Sequence, residues 1–154
     1  MLKYKNSIRV FSWIAVFLWM VLIFNFSSQA AEQSNALSSG ITEAVIKAVE
    51  KIAPKTAAKM NMGKLNHLIR KNSHFFLYLV LGALFLNAIG QSKICGIRGV
   101  IITLLFCSFY AISDEVHQLF VPGRGVQIKD VFIDIAGAAA GIFLFRRLFT
   151  KIGG

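Results

Sequence analysis

Residues 110–134 read YAISDEVHQLFVPGRGVQIKDVFID. The stretch sets Asp114, Glu115, His117, Gln118, Arg124, Asp130 and Asp134 between two apolar runs. It holds four of the seven acidic residues in a chain with 17 Lys and Arg and a net charge of +10. Ionisable groups beside membrane-length apolar segments are expensive to desolvate, so they turn toward one another, a water-filled cavity or a ligand. This hairpin is therefore the candidate site, and the runs that flank it decide the fold class.

Around it lie 154 residues that are 56% hydrophobic with a mean hydropathy of +0.63, far too apolar for a small soluble core. The expectation is an all-α polytopic membrane protein, one domain over residues 1–154, with four transmembrane helices and an outer amphipathic helical loop. The spans fall at about 10–26, 75–90, 99–113 and 131–145, and the outer loop at 27–73. The first, Val10 to Phe26, follows Lys3, Lys5 and Arg9 and reaches about 25 Å as a helix. Ser28-Gln29-Ala30 fits a small-x-small cleavage rule, yet the apolar run exceeds most signal-peptide cores, so it is read as a retained span.

In the loop, Ile41, Ala44, Val45, Ala48, Val49 and Ile52 recur at helical spacing up to Pro54, and Met62, Leu65, Leu68 and Ile69 make a second apolar stripe. Both stretches are expected to lie along the membrane surface. Lys47, Lys51, Lys55 and Lys59 fall every fourth residue, as a face for anionic lipid or wall polymer or simply as a solvated one. The segments on the side of the termini carry eight basic residues and no acid, hard against the spans. This arrangement predicts a multi-pass plasma-membrane protein with both termini cytoplasmic. The basic residues flank apolar segments and form no stripe interleaved with exposed aromatics, so the lipid bilayer is the expected partner and nucleic acid is not. Cys95 and Cys107 have neither the setting of a disulfide nor the spacing of a metal or redox pair.

At about 100° per residue, Asp130, Asp134, Gly137 and Gly141 share one stripe of span four, two carboxylates above a GxxxG pair that lets another helix approach closely. Asp134 lies 12 residues before Arg146, about 18 Å of helix, which puts it below the outer surface and in need of a partner such as Arg124, Arg70 or His74. On span three, Tyr110, Asp114, His117 and Gln118 share a face while Glu115 points elsewhere. Pro122-Gly123 ends that helix and leaves Arg124 at the mouth, suited to a phosphate or an internal carboxylate. On span two, Arg70, His74 and Tyr78 succeed one another at four-residue steps. A histidine beside a carboxylate suits proton transfer. His74 and His117 with Asp114, Glu115 or Asp134 could in principle ligate a metal. No HExxH or comparable spacing supports that, so neither metal nor cofactor is expected. The competing reading of all these groups is a satisfied polar network that locks four helices together.

Taken in order, the pieces resemble the VanZ-like membrane proteins, named for a teicoplanin-resistance determinant. They are Phe26-Ser27-Ser28-Gln29; Arg70-Lys71, His74, Phe75 and Tyr78; Asp114-Glu115, His117-Gln118, Phe120 and Pro122-Gly123-Arg124; and Asp130, Asp134, Gly137 and Gly141. The resemblance covers nearly the whole chain. It implies a small integral cell-envelope protein with several helices, of a kind linked to glycopeptide tolerance in Gram-positive bacteria, and it supplies no settled mechanism. Many members carry Glu before the tyrosine of span two, where this chain has Leu77. Three readings follow. One is a binder of an anionic lipid or wall precursor, using Arg70, Lys71, Tyr78, Glu115, Gln118, Arg124 and Asp130 with Ser28 and Gln29. Another is a membrane-embedded enzyme acting on a lipid-linked head group, with His74 or His117 as acid or base and Asp114 or Asp134 as its partner. The third is a small lipid or proton-coupled transporter that titrates Asp134.

Overall fold

The structure, a computed structural model, describes residues 2–54, 61–125 and 127–149; the side chains of residues 2–5, Ala31, Leu37, His67 and Arg70 lie outside that description. Among the described residues all regular structure is helical: α1 (Leu2–Ser27), α2 (Ala31–Ile52), α3 (Met62–Gln91), α4 (Gly96–Gln118) and α5 (Ile128–Phe149). Lys55 and Lys59, half of the lysine face expected at the membrane surface, are outside the described residues, as is the Arg70 side chain.

Three of these helices are long and apolar enough to cross a membrane: Asn6–Ser27 within α1, then α3 and α4. The fourth expected span is a real helix of 22 residues, but every 18-residue window of it carries at least three charged residues, so composition alone does not mark it as a crossing. The second span also differs from the expectation. The apolar stripe Met62, Leu65, Leu68 and Ile69 is not a separate surface helix; it forms the first turns of α3, which runs 30 residues without a break. No proline or glycine interrupts Lys64 to Leu81, and Asn61 caps the start by accepting the Lys64 N–H through Oδ1 at 3.0 Å.

Large apolar side chains face outward as well as inward. The most exposed include Phe11 (70%), Phe17 and Leu18 on α1, Phe109 on α4 and Phe132 on α5, while Ser27, Thr103, Asp114, Glu115, Gln118 and Asp134 are buried alongside an apolar core of Ile23, Tyr78, Leu81 and Phe85. Water would not favour that partition; a hydrocarbon solvent does. Helix α2 follows the same rule. Its fully buried residues are Ser38 and Thr42, whose hydroxyls satisfy themselves on the Ser34 and Ser38 carbonyls at 2.6 and 2.7 Å, with Ile46 and Val49 half-buried, while Val45 and Ile52 (86%) are exposed.

Helix α3 is central and packs against each of the other four. Pairings give the helix directions. Asn87 and Ser92 of α3 bond Ser12 and Trp13 of α1, and Leu77 O accepts from Trp19 Nε1 at 2.8 Å, so α1 and α3 are antiparallel. Phe85 stacks on Phe106 with centroids 4.0 Å apart and Tyr78 meets Tyr110 at 6.1 Å, so α3 and α4 are antiparallel too. Helix α5 runs parallel to α3 as a ladder: Lys71 faces Asp130, His74 faces Asp134, Phe75 meets Gly137 and Leu79 meets Gly141. A Cβ at Gly137 or Gly141 would intrude on the carbonyl of Phe75 or Leu79, and one at Gly82 would lie 2.5 Å from Ala138 O. Glycine is required at this seam because the two backbones nearly touch.

Candidate functional site

The carboxylates that the sequence placed on one stripe converge with α3 and α4 at one end of the bundle. The ladder begins with Lys71 Nζ 3.5 Å from Asp130 Oδ1, both half-buried, and continues one turn deeper with His74 Nδ1 3.7 Å from Asp134 Oδ1. Asp134 is 3% exposed and Asp114, arriving from α4, is 4% exposed. One ligating atom from each of His74, Asp114 and Asp134 falls within 4.8 Å of the others. Tyr78, a turn further along α3, is fully buried beside both aspartates.

A second set of groups holds Asp114 and the loop in place. Gln118 Nε2 donates to Ser27 Oγ at 2.9 Å, and both side chains lie beside Asp114. Glu115, off the face of Asp114 by its helical angle, is buried as well, and its carboxylate accepts the backbone N–H of Gln127 from the far side of the turn. The turn itself forms as Pro122-Gly123 predicts, with Gly123 at φ 76° and Arg124 N–H donating to Val121 O at 3.1 Å. That geometry returns Arg124 toward α1, where its Nη2 meets Phe26 O at 3.5 Å.

Two cavities meet here. A polar recess of about 80 Å³ is lined by Lys71, His74, Gln118, Gly123, Arg124, Gly125, Gln127, Asp130 and Ile133. Beside it, an apolar groove of about 470 Å³ runs between α1, α2 and α3, with Trp19, Phe26, Ile41, Ile69, Phe76, Leu77 and Val80 in its wall. His74 and Arg124 belong to both.

Of the residues singled out from sequence, Lys71, His74, Tyr78, Asp114, Glu115, Gln118, Arg124, Asp130 and Asp134 therefore gather at one end of the bundle. His117 stands apart from the cluster of ligating atoms, its ring packed on Phe24 with centroids 4.5 Å apart. Ser28 is exposed and turns back to Asn25 O at 3.0 Å, whereas Gln29 lines the apolar groove. The serine that enters the polar network is the neighbouring Ser27. Its signal was the register of α1, where Val16, Ile23 and Ser27 form one buried line at helical spacing. Leu77, which replaces an acidic residue of the family pattern, sits in the groove wall.

The outward apolar faces of the helices, three of them long enough to cross a bilayer, and the buried acidic cluster fit a helical membrane protein. Residues 11–150 match the model of the VanZ/LLP1 family, and the chain belongs to that family. No curated protein and no solved structure matches it significantly.

Proposed function

We propose that this protein is a cell-envelope membrane protein that binds an anionic lipid or lipid-linked wall precursor at an outward-facing site, and that in this way it alters how glycopeptides such as teicoplanin reach their target. The observation that carries the reading is the shared wall. His74 and Arg124 border a polar recess on one side and an apolar groove on the other, which suits a phosphate-bearing head joined to a hydrocarbon tail. Arg124 supplies a planar fork for phosphate oxygens and Lys71 a second positive charge. The test is a titration of purified protein with phosphatidylglycerol, undecaprenyl phosphate and phosphatidylcholine, followed by native mass spectrometry. The two lipids of net negative charge are retained in preference to zwitterionic phosphatidylcholine, and Val80→Trp, which narrows the groove, reduces retention. Equal retention of all three lipids would sink the reading. The imidazole-carboxylate contact of His74 and Asp134 at the junction favours a second reading, hydrolysis or transfer of the head group, and a released head group in the same incubation would select it.

The same proposal places α5 as a fourth crossing with both termini in the cytoplasm. Its parallel packing on α3 supports this, because glycines at two successive turns hold it along the length of a helix apolar enough to span. A single cysteine at Glu50 in a chain with Cys95 and Cys107 replaced is expected to react with a membrane-impermeant maleimide on intact cells. Labelling only after lysis would reverse the orientation.

A further inference from the structure

Two aspartates in the triad of α3, α4 and α5 carry buried oxygens whose hydrogen bonding is incomplete among the described residues. Asp114 Oδ1 and Asp134 Oδ1 accept no hydrogen bond among the described residues, and neither does the fully buried Tyr78 hydroxyl next to them. Burying a carboxylate costs several kcal/mol unless it is paired and its lone pairs are occupied. His74, 3.7 Å from one of the two, faces a pair of acids. The cluster as it stands has oxygen ligands in excess.

From this geometry we infer that His74, Asp114 and Asp134 form a binding site for a divalent transition-metal ion of the Mn²⁺ or Zn²⁺ kind. One imidazole and two carboxylates are a donor set for such ions, and their ligating atoms already lie within 4.8 Å of one another. Metal–ligand bonds of about 2.0–2.2 Å place ligands roughly 3–3.5 Å apart, so binding contracts the triad by small side-chain rotations. Ser27 and Gln118 hold Asp114 from behind, the kind of outer support that fixes a ligating carboxylate. The buried Tyr78 hydroxyl lies beside both aspartates, where an outer partner of a ligating carboxylate would sit. His74 also borders the recess, so the ion's remaining positions adjoin the space for a phosphate head group. The ligands stand 40 and 20 residues apart on separate helices, a spacing that no short motif encodes.

The experiment is run in lipid-free detergent, so it stands apart from the binding of any head group. Full-length protein is stripped with EDTA, then titrated with Mn²⁺ followed by electron paramagnetic resonance and, separately, with Zn²⁺ followed by elemental analysis. One saturable ion per chain is expected for at least one of the two metals. His74→Gln, Asp114→Asn and Asp134→Asn each weaken it by more than the roughly 10–100-fold typical of losing an outer-shell partner. Glu50→Gln on α2 leaves it unchanged. The inference fails if the wild-type chain shows no saturable site for either ion, or if folded triad variants bind as well as wild type. A variant that does not elute as a monodisperse species is replaced by its neighbour in the triad, and the wild-type stoichiometry decides in any case.

Discussion

Gly141→Leu is expected to abolish the folded state. The seam between α3 and α5 leaves no room for even a Cβ at this position, where it would intrude on the Leu79 carbonyl, and the obstacle is main chain that cannot rotate away. Overpacking a core costs about 1–3 kcal/mol when side chains can adjust. Here the two helices must separate, loosening the rungs Lys71–Asp130 and His74–Asp134 above, so the loss exceeds about 3 kcal/mol, out of the roughly 5–15 kcal/mol that holds a typical domain. Thermal denaturation followed by size exclusion in detergent would show little or no monodisperse protein. Gly90→Ala, with no atom within 4 Å of the added methyl, provides the control and leaves the melting temperature within a few degrees of wild type. A Gly141→Leu chain that melts like wild type would mean that α5 does not pack on α3 as described.

Arg124→Glu is expected to remove most of the affinity for anionic lipid. Arg124 lines both the recess and the groove, so a head group seated at their junction lies beside its guanidinium. Hydrogen bonds to charged groups are worth about 1.5–3 kcal/mol, a factor of about 10–150 in affinity, and reversing the sign adds repulsion. Arg124→Lys keeps the charge but loses the bidentate fork, so it falls between wild type and the reversal. Affinities for phosphatidylglycerol from the titration described above check the order. Binding by Arg124→Glu at wild-type strength would move the head group away from this turn.

Much of this architecture was legible in the residues. Periodicity located the helices, Pro122-Gly123 announced the turn, and the stripe Asp130, Asp134, Gly137 and Gly141 foretold which face of α5 meets a neighbour. That stripe was readable because every member of it has one job per turn, charge above and close approach below. What escaped had physical reasons too. The start of α3 was hidden because the stripe Met62, Leu65, Leu68 and Ile69 reads as a surface helix of its own, although no residue between it and Phe75 breaks the helix. The angle of Glu115 on α4 sets it off the face of Asp114, but what it meets there, a backbone N–H of the returning turn, is a contact between segments that periodicity does not contain. The fully buried positions of α2 are the hydroxyls of Ser38 and Thr42, while Val45 and Ile52 of its apolar stripe are exposed, so there the soluble rule runs in reverse. Convergence of His74 with Asp114 and Asp134 depends on three helices crossing at one depth, which only the packing determines.

The indole of Trp19 lines the apolar groove and is pinned through its N–H to the Leu77 carbonyl. The chain's other tryptophan, Trp13, bonds Ser92 two turns nearer the N-terminus. The protein thus carries its own optical gauge: in a Trp13→Phe background the emission of a single chromophore reports groove occupancy, and a brominated acyl chain lodged there quenches it without any attached dye.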